Sequence, residues 1–400
     1  MSKKTLTPEQ SDYQEYARRW LAENRPPEPP VRLPLSAIEV MTVPQRDYLQ
    51  DWQRECYEAG LVGADIPTEY GGGGHDGFQR IANVEMGRAG TPFMLNVIAL
   101  NMAIPTILVH GTEEQKRQFV PPALSGEEIW CQGFSEPGAG SDMANQQTMA
   151  VRDGDDWIVN GHKVWTSLGH FAKWMILIAR TSREHKYDGL TYFLCPIEGH
   201  EGVTVRPLIK MTGETGFNEV LFEDVRVPDS LRLDEIGKGW TVAMTTLTYE
   251  RGAAEGAGGG GGGESPIDML VRLAKTHYRD GVLAKDDPVT RDAIVQQAII
   301  AEGFKQNAKR GRVPALCDHP MRLPLQGKVT VTEMIQNTSR LGVDIAGPQS
   351  TLYKLDPAAP DAGHWPLSYM NSYGMTIAAG TNEIQRNILG ERVLGLAKSK

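Results

Sequence analysis

The sequence predicts an α+β fold with a helical N-terminal domain (residues 1–130), a central β domain (131–240) and a helical C-terminal domain (241–400). One observation is length, because 400 residues exceed the size of a typical single domain. The other is the residue pattern, which changes from helical spacing to short β-like runs near residue 131 and back again after residue 239.

Helical spacing is clear at three places in the N-terminal part. Pro8 begins a segment in which Tyr13 and Tyr16 are placed at helical intervals, and residues 78–87 and 113–124 repeat the pattern. Proline-rich and glycine-rich stretches separate these segments, as expected between helices.

The central part contains short runs of branched and aromatic residues. Glycine, aspartate and proline separate the runs, which is typical of strands joined by turns. The predicted strands contain residues 157–159, 174–179, 190–194, 203–205 and 220–227.

Helical periodicity returns in the C-terminal part, most clearly in residues 292–309. One face of this helix is predicted to be apolar; it carries Ile294, Ala298, Ala301, Phe304 and Ala308. Six consecutive glycines, 258–263, predict a mobile connector between helices, with the flexible wall of a ligand pocket as the alternative.

Composition excludes several classes of function. Forty-one Lys and Arg against 50 Asp and Glu give a net charge of -9, without the basic excess that nucleic-acid binding needs. The longest strongly apolar stretch, residues 174–179, is far shorter than the roughly 20 residues of a membrane span. The histidines and four cysteines lack metal-site spacing. With no signal-peptide pattern at the N-terminus, we expect a cytoplasmic protein.

Residues 131–142 (CQGFSEPGAGSD) form a glycine-rich polar segment at the boundary between helical and β patterns. Small residues let backbone N–H groups approach an anionic or heteroaromatic ligand, and the Ser135 and Ser141 hydroxyls can donate hydrogen bonds to it. A purely structural turn explains the pattern equally well.

Residues 160–167 (NGHKVWTS) combine an Asn-Gly turn with a large aromatic residue and two hydroxyls. Trp165 is a candidate wall for a planar cofactor. An ordinary core tryptophan is the alternative.

Near the C-terminus, residues 380–382 (GTN) have the pattern of a loop that enters a helix, with acidic Glu383 in the first turn. Such a helix N-terminus can hold an anion or a polarised carbonyl. A plain capped helix is the alternative.

Six segments, taken in order, closely resemble blocks of the acyl-CoA dehydrogenase family. They are residues 60–71, 110–124, 131–142, 160–167, 219–228 and 380–395. The resemblance runs over nearly the whole chain. It implies the acyl-CoA dehydrogenase fold: a helical N-terminal domain, a β-barrel-like or β-sandwich central domain and a C-terminal four-helix bundle.

The resemblance also implies FAD as cofactor and oxidation of the Cα–Cβ bond of an acyl-CoA thioester to the 2-enoyl-CoA. In such a reaction a base removes the α-proton while the β-hydride passes to flavin N5. The residues at cofactor-binding positions of the family are Phe134, Ser135, Ser141, Trp165, Thr166, Ser167, Thr381 and Glu383. Ser141 also matches a position near the CoA chain.

The candidate base is Glu250. Many straight-chain members of the family carry their catalytic glutamate immediately before Gly380, where this chain has Ala379. Enzymes similar to isovaleryl-CoA dehydrogenase place the base on an earlier helix, and Glu250 followed by Arg251 matches that segment. The backbone N–H of Ala379 would then face the thioester oxygen, and Arg251 and Gly380 would lie near the substrate.

The resemblance implies a homotetramer or dimer of lipid metabolism that passes electrons to an electron-transfer flavoprotein. A flavin oxidase or monooxygenase on the same fold is one alternative. A non-catalytic or partner-dependent subunit of a heteromeric acyl-CoA dehydrogenase is the other, because the usual glutamate is absent. An earlier-helix base is associated in the family with branched, long or bulky acyl groups.

Overall fold

A computed structural model describes residues 6–257, 264–311, 313–354 and 356–398, without the side chains of residues 251–257 and 314. The predicted glycine connector lies outside the described residues. The chain divides into two compact units, which contain residues 6–257 and 264–398 of the described part. The domain boundaries at residues 130 and 240 stay a prediction.

Helices form the N-terminal part of the first unit. They are α1 (Pro8–Glu23), α2 (Val43–Glu58), α3 (Phe78–Ala89), α4 (Ile104–His110) and α5 (Glu113–Ser125). Capping boxes begin α1, α2 and α5. In each, the side chain of a threonine accepts a hydrogen bond from the backbone N–H of a glutamine three residues later, and the side chain of that glutamine accepts one from the backbone N–H of the threonine. A π-helical turn, Ala99–Ala103, precedes α4.

A mixed sheet follows the helices. Its strands are β1 (Trp130–Gly133), β2 (Met149–Asp153), β3 (Asp156–Ser167), β4 (Trp174–Arg180), β5 (Leu190–Pro196), β6 (Val203–Leu208), β7 (Phe217–Pro228) and β8 (Arg232–Leu233). The order is β6-β7-β3-β2-β4-β5-β8, with β1 parallel to β4. The final helix of this unit is α6 (Gly239–Ala257), which packs against β5 and α4.

Both faces of the central strands are buried. Because side chains alternate along a strand, Ile176 and Ile178 of β4 join the core with the N-terminal helices and α6. Met175 and Leu177 point the other way and pack against residues of β7 such as Val220. This arrangement explains why β4 and β5 are continuous apolar runs rather than alternating ones.

The second unit is helical. It contains α7 (Pro266–Ala274), a hairpin of β9 (Tyr278–Arg279) and β10 (Val282–Leu283), then α8 (Pro288–Arg310), α9 (Arg322–Ala346), α10 (His364–Ile377) and α11 (Asn382–Ile388). Its core includes Leu273, Ile345 and Trp365. Trp365 packs so closely on Gly342 that an added Cβ would lie 2.0 Å from the indole.

The order of a helical region, a sheet and a second helical region confirms the predicted fold class. One detail differs: α8 forms as predicted, but Ile294 is the single buried residue of its predicted apolar face among the described residues, and Ala308 is exposed. In the part of the chain that the structure describes, no helix is long and apolar enough to cross a membrane.

Candidate functional site

The segment after β1 begins in the core and lies beside β3. Phe134 is buried, and its ring packs edge-on against Tyr192 with the ring centroids 5.9 Å apart. The backbone carbonyl of Ser135 accepts a hydrogen bond from the N–H of Val164 (2.9 Å). The first segment singled out in the sequence therefore runs alongside the second.

The remainder of this segment is a tight turn with an open tip. The N–H of Glu136 donates to the carbonyl of Ala139 (3.0 Å), and the N–H of Ala139 donates back to Glu136 (3.1 Å). Ser141 is exposed, and a Cβ added to Gly138 or Gly140 would meet no described atom within 4 Å. The segment is therefore a structural turn whose backbone and hydroxyl groups remain accessible to a ligand.

β3 carries a bulge at Trp165. Lys163 pairs with Val220 and Thr166 pairs with Asn218, so two residues of β3 oppose one residue of β7. Trp165 has a left-handed φ of 60° and is 61% exposed. Bulges redirect side chains and are frequent beside active sites. The alternative of an ordinary core tryptophan is therefore wrong.

A buried polar cluster lies next to the bulge. Thr166 and Ser167 are both buried, and the Thr166 hydroxyl has no hydrogen-bond partner among the described residues. Nδ2 of Asn218 donates to the Thr166 carbonyl (3.0 Å) and lies 2.9 Å from Nδ1 of His170. Burial lowers the pKa of His170, although its hydrogen bonds to Asn218 and to the Val40 backbone oppose the shift. The imidazole is therefore neutral at pH 7.

Glu250 lies on α6, four residues after a buried hydrogen-bonded contact. The Thr246 hydroxyl lies 3.0 Å from the hydroxyl of Thr106 on α4 and 3.0 Å from that of Tyr192 on β5. Residues four apart share one face of a helix, so this contact fixes the face that carries Glu250. Glu250 is half-buried. The side chain of Arg251 lies outside the described part of the chain.

A second contact fixes the same turn of α6. Nδ1 of His110, at the end of α4, lies 2.8 Å from Oδ2 of Asp234, and its Nε2 lies 2.9 Å from the Thr245 hydroxyl. The histidine therefore bridges α6 and the segment that precedes it. Sequence reasoning missed this bridge because the partners are 124 and 135 residues away along the chain.

In the second unit, the turn before α11 has an unusual backbone. Ala379 and Gly380 both have left-handed φ angles, 54° and 81°. Nε2 of Gln385 donates to the carbonyls of both residues (2.7 and 3.2 Å). Thr381 then caps α11 by accepting from the N–H of Ile384 (3.2 Å). The predicted capped helix is confirmed, and a side chain of that helix holds the turn.

Glu383 lies in the first turn of α11. Hydrogen bonds from its own backbone N–H and from the Thr381 hydroxyl lower the pKa of its carboxyl group, and the charges of Arg386 and Lys328 act in the same direction. Glu383 therefore carries a negative charge at neutral pH, at the helix end that favours one.

A buried lysine holds the other side of this turn. Nζ of Lys328, on α9, donates to the carbonyl of Thr376 (3.2 Å) and to Oδ1 of Asn382 (2.8 Å). Burial lowers the pKa of Lys328 to about 8, although the charges of Glu383 and Glu333 oppose the shift. No spacing in the sequence distinguishes this lysine from a surface one.

The candidate residues thus form separate groups. In the first unit, the backbone brings Phe134 and Ser135 beside β3 and its bulge, and Glu250 lies on the anchored helix α6. In the second unit, Ala379, Gly380, Thr381 and Glu383 form the turn and first residues of α11.

Three family models match the chain in order. They describe the N-terminal, middle and C-terminal domains of acyl-CoA dehydrogenases and cover residues 7–127, 131–225 and 237–394. The chain belongs to the acyl-CoA dehydrogenase family. Its relatives carry the name of acyl-CoA dehydrogenases, so the protein is an oxidoreductase, and the family implies a flavin cofactor.

Relatives match over almost the full length. Acyl-CoA dehydrogenase IpdE1 of Mycobacterium tuberculosis is 34% identical, with 97% of this chain and 98% of the relative covered. The ChsE4–ChsE5 complex from the same organism is 27% identical with a TM-score of 0.76, and the structure described as Tcur3481–Tcur3483 steroid ACAD is 25% identical with a TM-score of 0.78. Both structural matches cover 100% of each chain.

The residues of the first unit fit a flavin. Trp165 presents an exposed indole on the bulge, beside the hydroxyl-bearing residues Thr166 and Ser167. The open tip at Gly138 and Gly140 provides room for a ligand close to the backbone. Flavins offer ring nitrogens, carbonyl oxygens and phosphates, and such groups bind to hydroxyls and backbone N–H donors.

Proposed function

We propose that the protein is an FAD-dependent acyl-CoA dehydrogenase that converts an acyl-CoA thioester to its 2-enoyl-CoA, with Glu250 as the base. The observation that carries this proposal is the anchoring of α6. Buried hydrogen bonds at Thr246 fix the helix one turn before the carboxylate. A base must be held within hydrogen-bond reach of the proton that it removes, and an anchored helix provides that positioning.

The proton and the hydride leave the substrate from neighbouring carbons. The carboxylate of Glu250 accepts the α-proton, and the electron pair of the α C–H bond forms the new Cα–Cβ double bond. FAD, when bound, supplies the acceptor for the hydride that leaves the β-carbon. Arg251 follows Glu250 in the sequence and is a further residue that we propose to lie near the substrate.

The turn before α11 would bind the thioester group of the substrate. We assign the backbone N–H of Ala379 as a donor to the thioester oxygen, where negative charge develops as the α-proton leaves. Gln385 holds this turn through the carbonyls of Ala379 and Gly380, and Lys328 bonds to Thr376 and Asn382 on either side of it, so the donor needs little rearrangement. Gly380, and Ser141 in the first unit, are the further substrate contacts that we propose.

The proposed FAD contacts are the residues at the cofactor-binding positions of the family. In the first unit these are Phe134, Ser135, Ser141, Trp165, Thr166 and Ser167. In the second unit they are Thr381 and Glu383. The hydroxyl of Ser167 is the proposed neighbour of flavin N5.

A bulky, ring-bearing acyl group is the substrate class that we propose. The support is the structure named a steroid ACAD, which matches over its full length at 25% identity. Ala379 adds to this support, because it leaves the space that a glutamate side chain at that position would fill. We propose an electron-transfer flavoprotein as the electron acceptor. The proposed assembly is a homotetramer or dimer.

A second candidate is a subunit that works only with a partner chain. The ChsE4–ChsE5 match favours it, since that structure is described as a complex of two differently named chains. Under this hypothesis the chain expressed alone would hold little FAD. Co-expression with a partner would restore full occupancy.

The test is an anaerobic visible spectrum of the chain expressed alone. Acyl-CoAs with short, branched and steroid-like groups are then added in turn. Bleaching of the flavin band by the bulky acyl-CoA above all supports the full proposal. A colourless protein supports the partner-dependent subunit, and a yellow protein that no acyl-CoA bleaches contradicts the proposed reaction. Peroxide formation in air, without a partner protein, would indicate an oxidase instead.

A further inference from the structure

Lys163 is a fully buried lysine within the β domain. It lies on β3, two residues before Trp165, and its side chain is 0% exposed. Its Nζ donates to Oε1 of Glu136 (2.8 Å), to Oε1 of Gln146 (2.7 Å) and to the backbone carbonyl of Phe134 (3.3 Å). An ammonium group has three hydrogens to donate, so each has an acceptor.

Glu136 closes the loop that carries Ser141. Oε2 of its carboxylate accepts from the N–H of Gln147 (2.6 Å), and Oε1 accepts from the N–H of Thr148 (3.0 Å). The backbone of Glu136 therefore forms the start of the loop, and its buried carboxylate binds the end of the loop at Gln147 and Thr148. The loop tip between these ends, residues 137–142, is exposed apart from Ala139.

The pair joins the two segments that carry the proposed flavin contacts of the first unit. Lys163 belongs to the strand that continues into the bulge, and Glu136 and Phe134 belong to the loop. Arg180 supports the same loop from β4, where its guanidinium donates to the carbonyls of Gln146 (3.0 Å) and Ala144 (2.6 Å). The bulge and the loop are therefore connected through buried charge.

We propose that Lys163 and Glu136 are positioning residues that hold the loop at Ser141 and the bulge at Trp165 in the geometry that binds FAD. The proposal rests on the proposed function, since it assigns both segments to the cofactor. Neither side chain is accessible, so the pair acts through Phe134, Ser141 and Trp165 rather than by touching the cofactor itself.

Burial makes each partner depend on the other. Burial lowers the pKa of Lys163 to about 8, and the Glu136 carboxylate limits this shift. Burial alone would raise the pKa of Glu136. The charge of Lys163 and the hydrogen bonds from Lys163, Thr148 and Gln147 outweigh burial and lower this pKa overall. Loss of one partner leaves a buried charge without compensation, which is worse than loss of both.

The experiment compares Lys163→Met, Glu136→Gln and the double variant with the wild-type full chain. Lys186→Met is the matched control, because Lys186 pairs with Asp142 on the same loop but at the surface. FAD affinity is measured by fluorescence titration of the flavin-stripped protein. The visible circular dichroism of the bound flavin and the melting temperature of the stripped protein are measured in parallel.

We expect each single variant to weaken FAD binding at least tenfold and to change the visible dichroism of the flavin that still binds. The double variant should bind FAD more tightly than the product of the two single effects predicts. Lys186→Met should remain within twofold of the wild type. If Lys163→Met does not fold, the double variant and Glu136→Gln decide the question.

Two other outcomes would overturn the proposal. Lower melting temperatures with unchanged FAD affinity and dichroism would make the pair a purely structural element, and the proposed function would stand. A wild-type chain that binds no FAD, alone or with a co-expressed partner, would remove the proposed function and this inference together.

Discussion

The hydroxyl of Thr246 on α6 lies 3.0 Å from the phenolic oxygen of Tyr192 on β5, and both side chains are fully buried. Burial raises the pKa of Tyr192, so the phenol stays protonated and shares a hydrogen bond with the Thr246 hydroxyl. Through Thr246 the same cluster reaches Thr106 on α4. The helix that carries the proposed base is therefore tied to both a strand and a helix of the first unit.

Thr246→Val should lower the free energy of unfolding by about 2 kcal/mol, because it leaves buried hydroxyls of Thr106 and Tyr192 without this partner. It should also reduce turnover while FAD content stays near the wild-type value. Urea unfolding and steady-state kinetics check this. Thr248→Val on the same helix is the control, since Thr248 is exposed and bonds within its own helix. Equal effects of the two variants would contradict the anchoring role.

Trp165→Ala should weaken FAD binding about tenfold, equivalent to ~1.4 kcal/mol of lost ring contact. Its effect on the stability of the flavin-free protein should stay within about 0.5 kcal/mol, because the indole is exposed. Titration with FAD and thermal unfolding measure the two effects. Tyr278→Ala removes another exposed aromatic ring, in the second unit, and should change neither. A large loss of stability without loss of FAD affinity would exclude the cofactor-facing role.

Gly380→Ala should destabilise the protein by about 1–2 kcal/mol. The residue has a φ of 81°, and an added Cβ would lie 2.8 Å from Nε2 of Gln385. Gly374→Ala is the matched control, because Gly374 lies within α10 and an added Cβ would meet no described atom within 4 Å. That variant should be neutral or stabilising by up to ~1 kcal/mol. Denaturant unfolding measures the stability of both variants. A Gly380→Ala protein that is more stable than Gly374→Ala would contradict the close packing at Gly380.

Lys328 should make stability depend on pH in the alkaline range. Its pKa is about 8 in the folded protein, and the pKa of a lysine in the unfolded chain is about 10.4. Between these values the unfolded chain holds more protons, so the contribution of this residue to stability is lowest below pH 8 and rises as the pH increases. Urea unfolding at about pH 7.5 and 9.5 should therefore show the wild type gaining stability relative to Lys328→Met. A constant difference between the two proteins would contradict the buried charge.

The regular elements could be predicted from local chemistry. Proline at Pro8 and the helical spacing after it indicate α1, and the apolar run at residues 174–179 indicates β4. The core face of α8 was less predictable. Its periodicity indicates an apolar face, but of the predicted face only Ile294 is buried in the described part of the chain.

The residues that hold the site in place could not be predicted, because long-range pairing creates their roles. The bulge at Trp165 arises where β3 meets β7, and no turn pattern in the sequence marks it. Lysines are usually exposed at the surface, yet Lys163 and Lys328 are both buried, and the ammonium group of each donates to a backbone carbonyl. Sequence motifs therefore indicate the candidate contact residues, whereas the residues that hold them in place become visible only in the folded chain.

The most direct test of the account is single-turnover reduction of the bound flavin, compared between the wild type and Glu250→Gln without oxygen. We expect both proteins to be yellow and to bind acyl-CoA. The variant should reduce its flavin about 10²–10⁴ times more slowly, which is the usual contribution of a general base. Glu223→Gln, at an exposed carboxylate of β7, should react like the wild type. Near-normal reduction in Glu250→Gln would contradict the central claim.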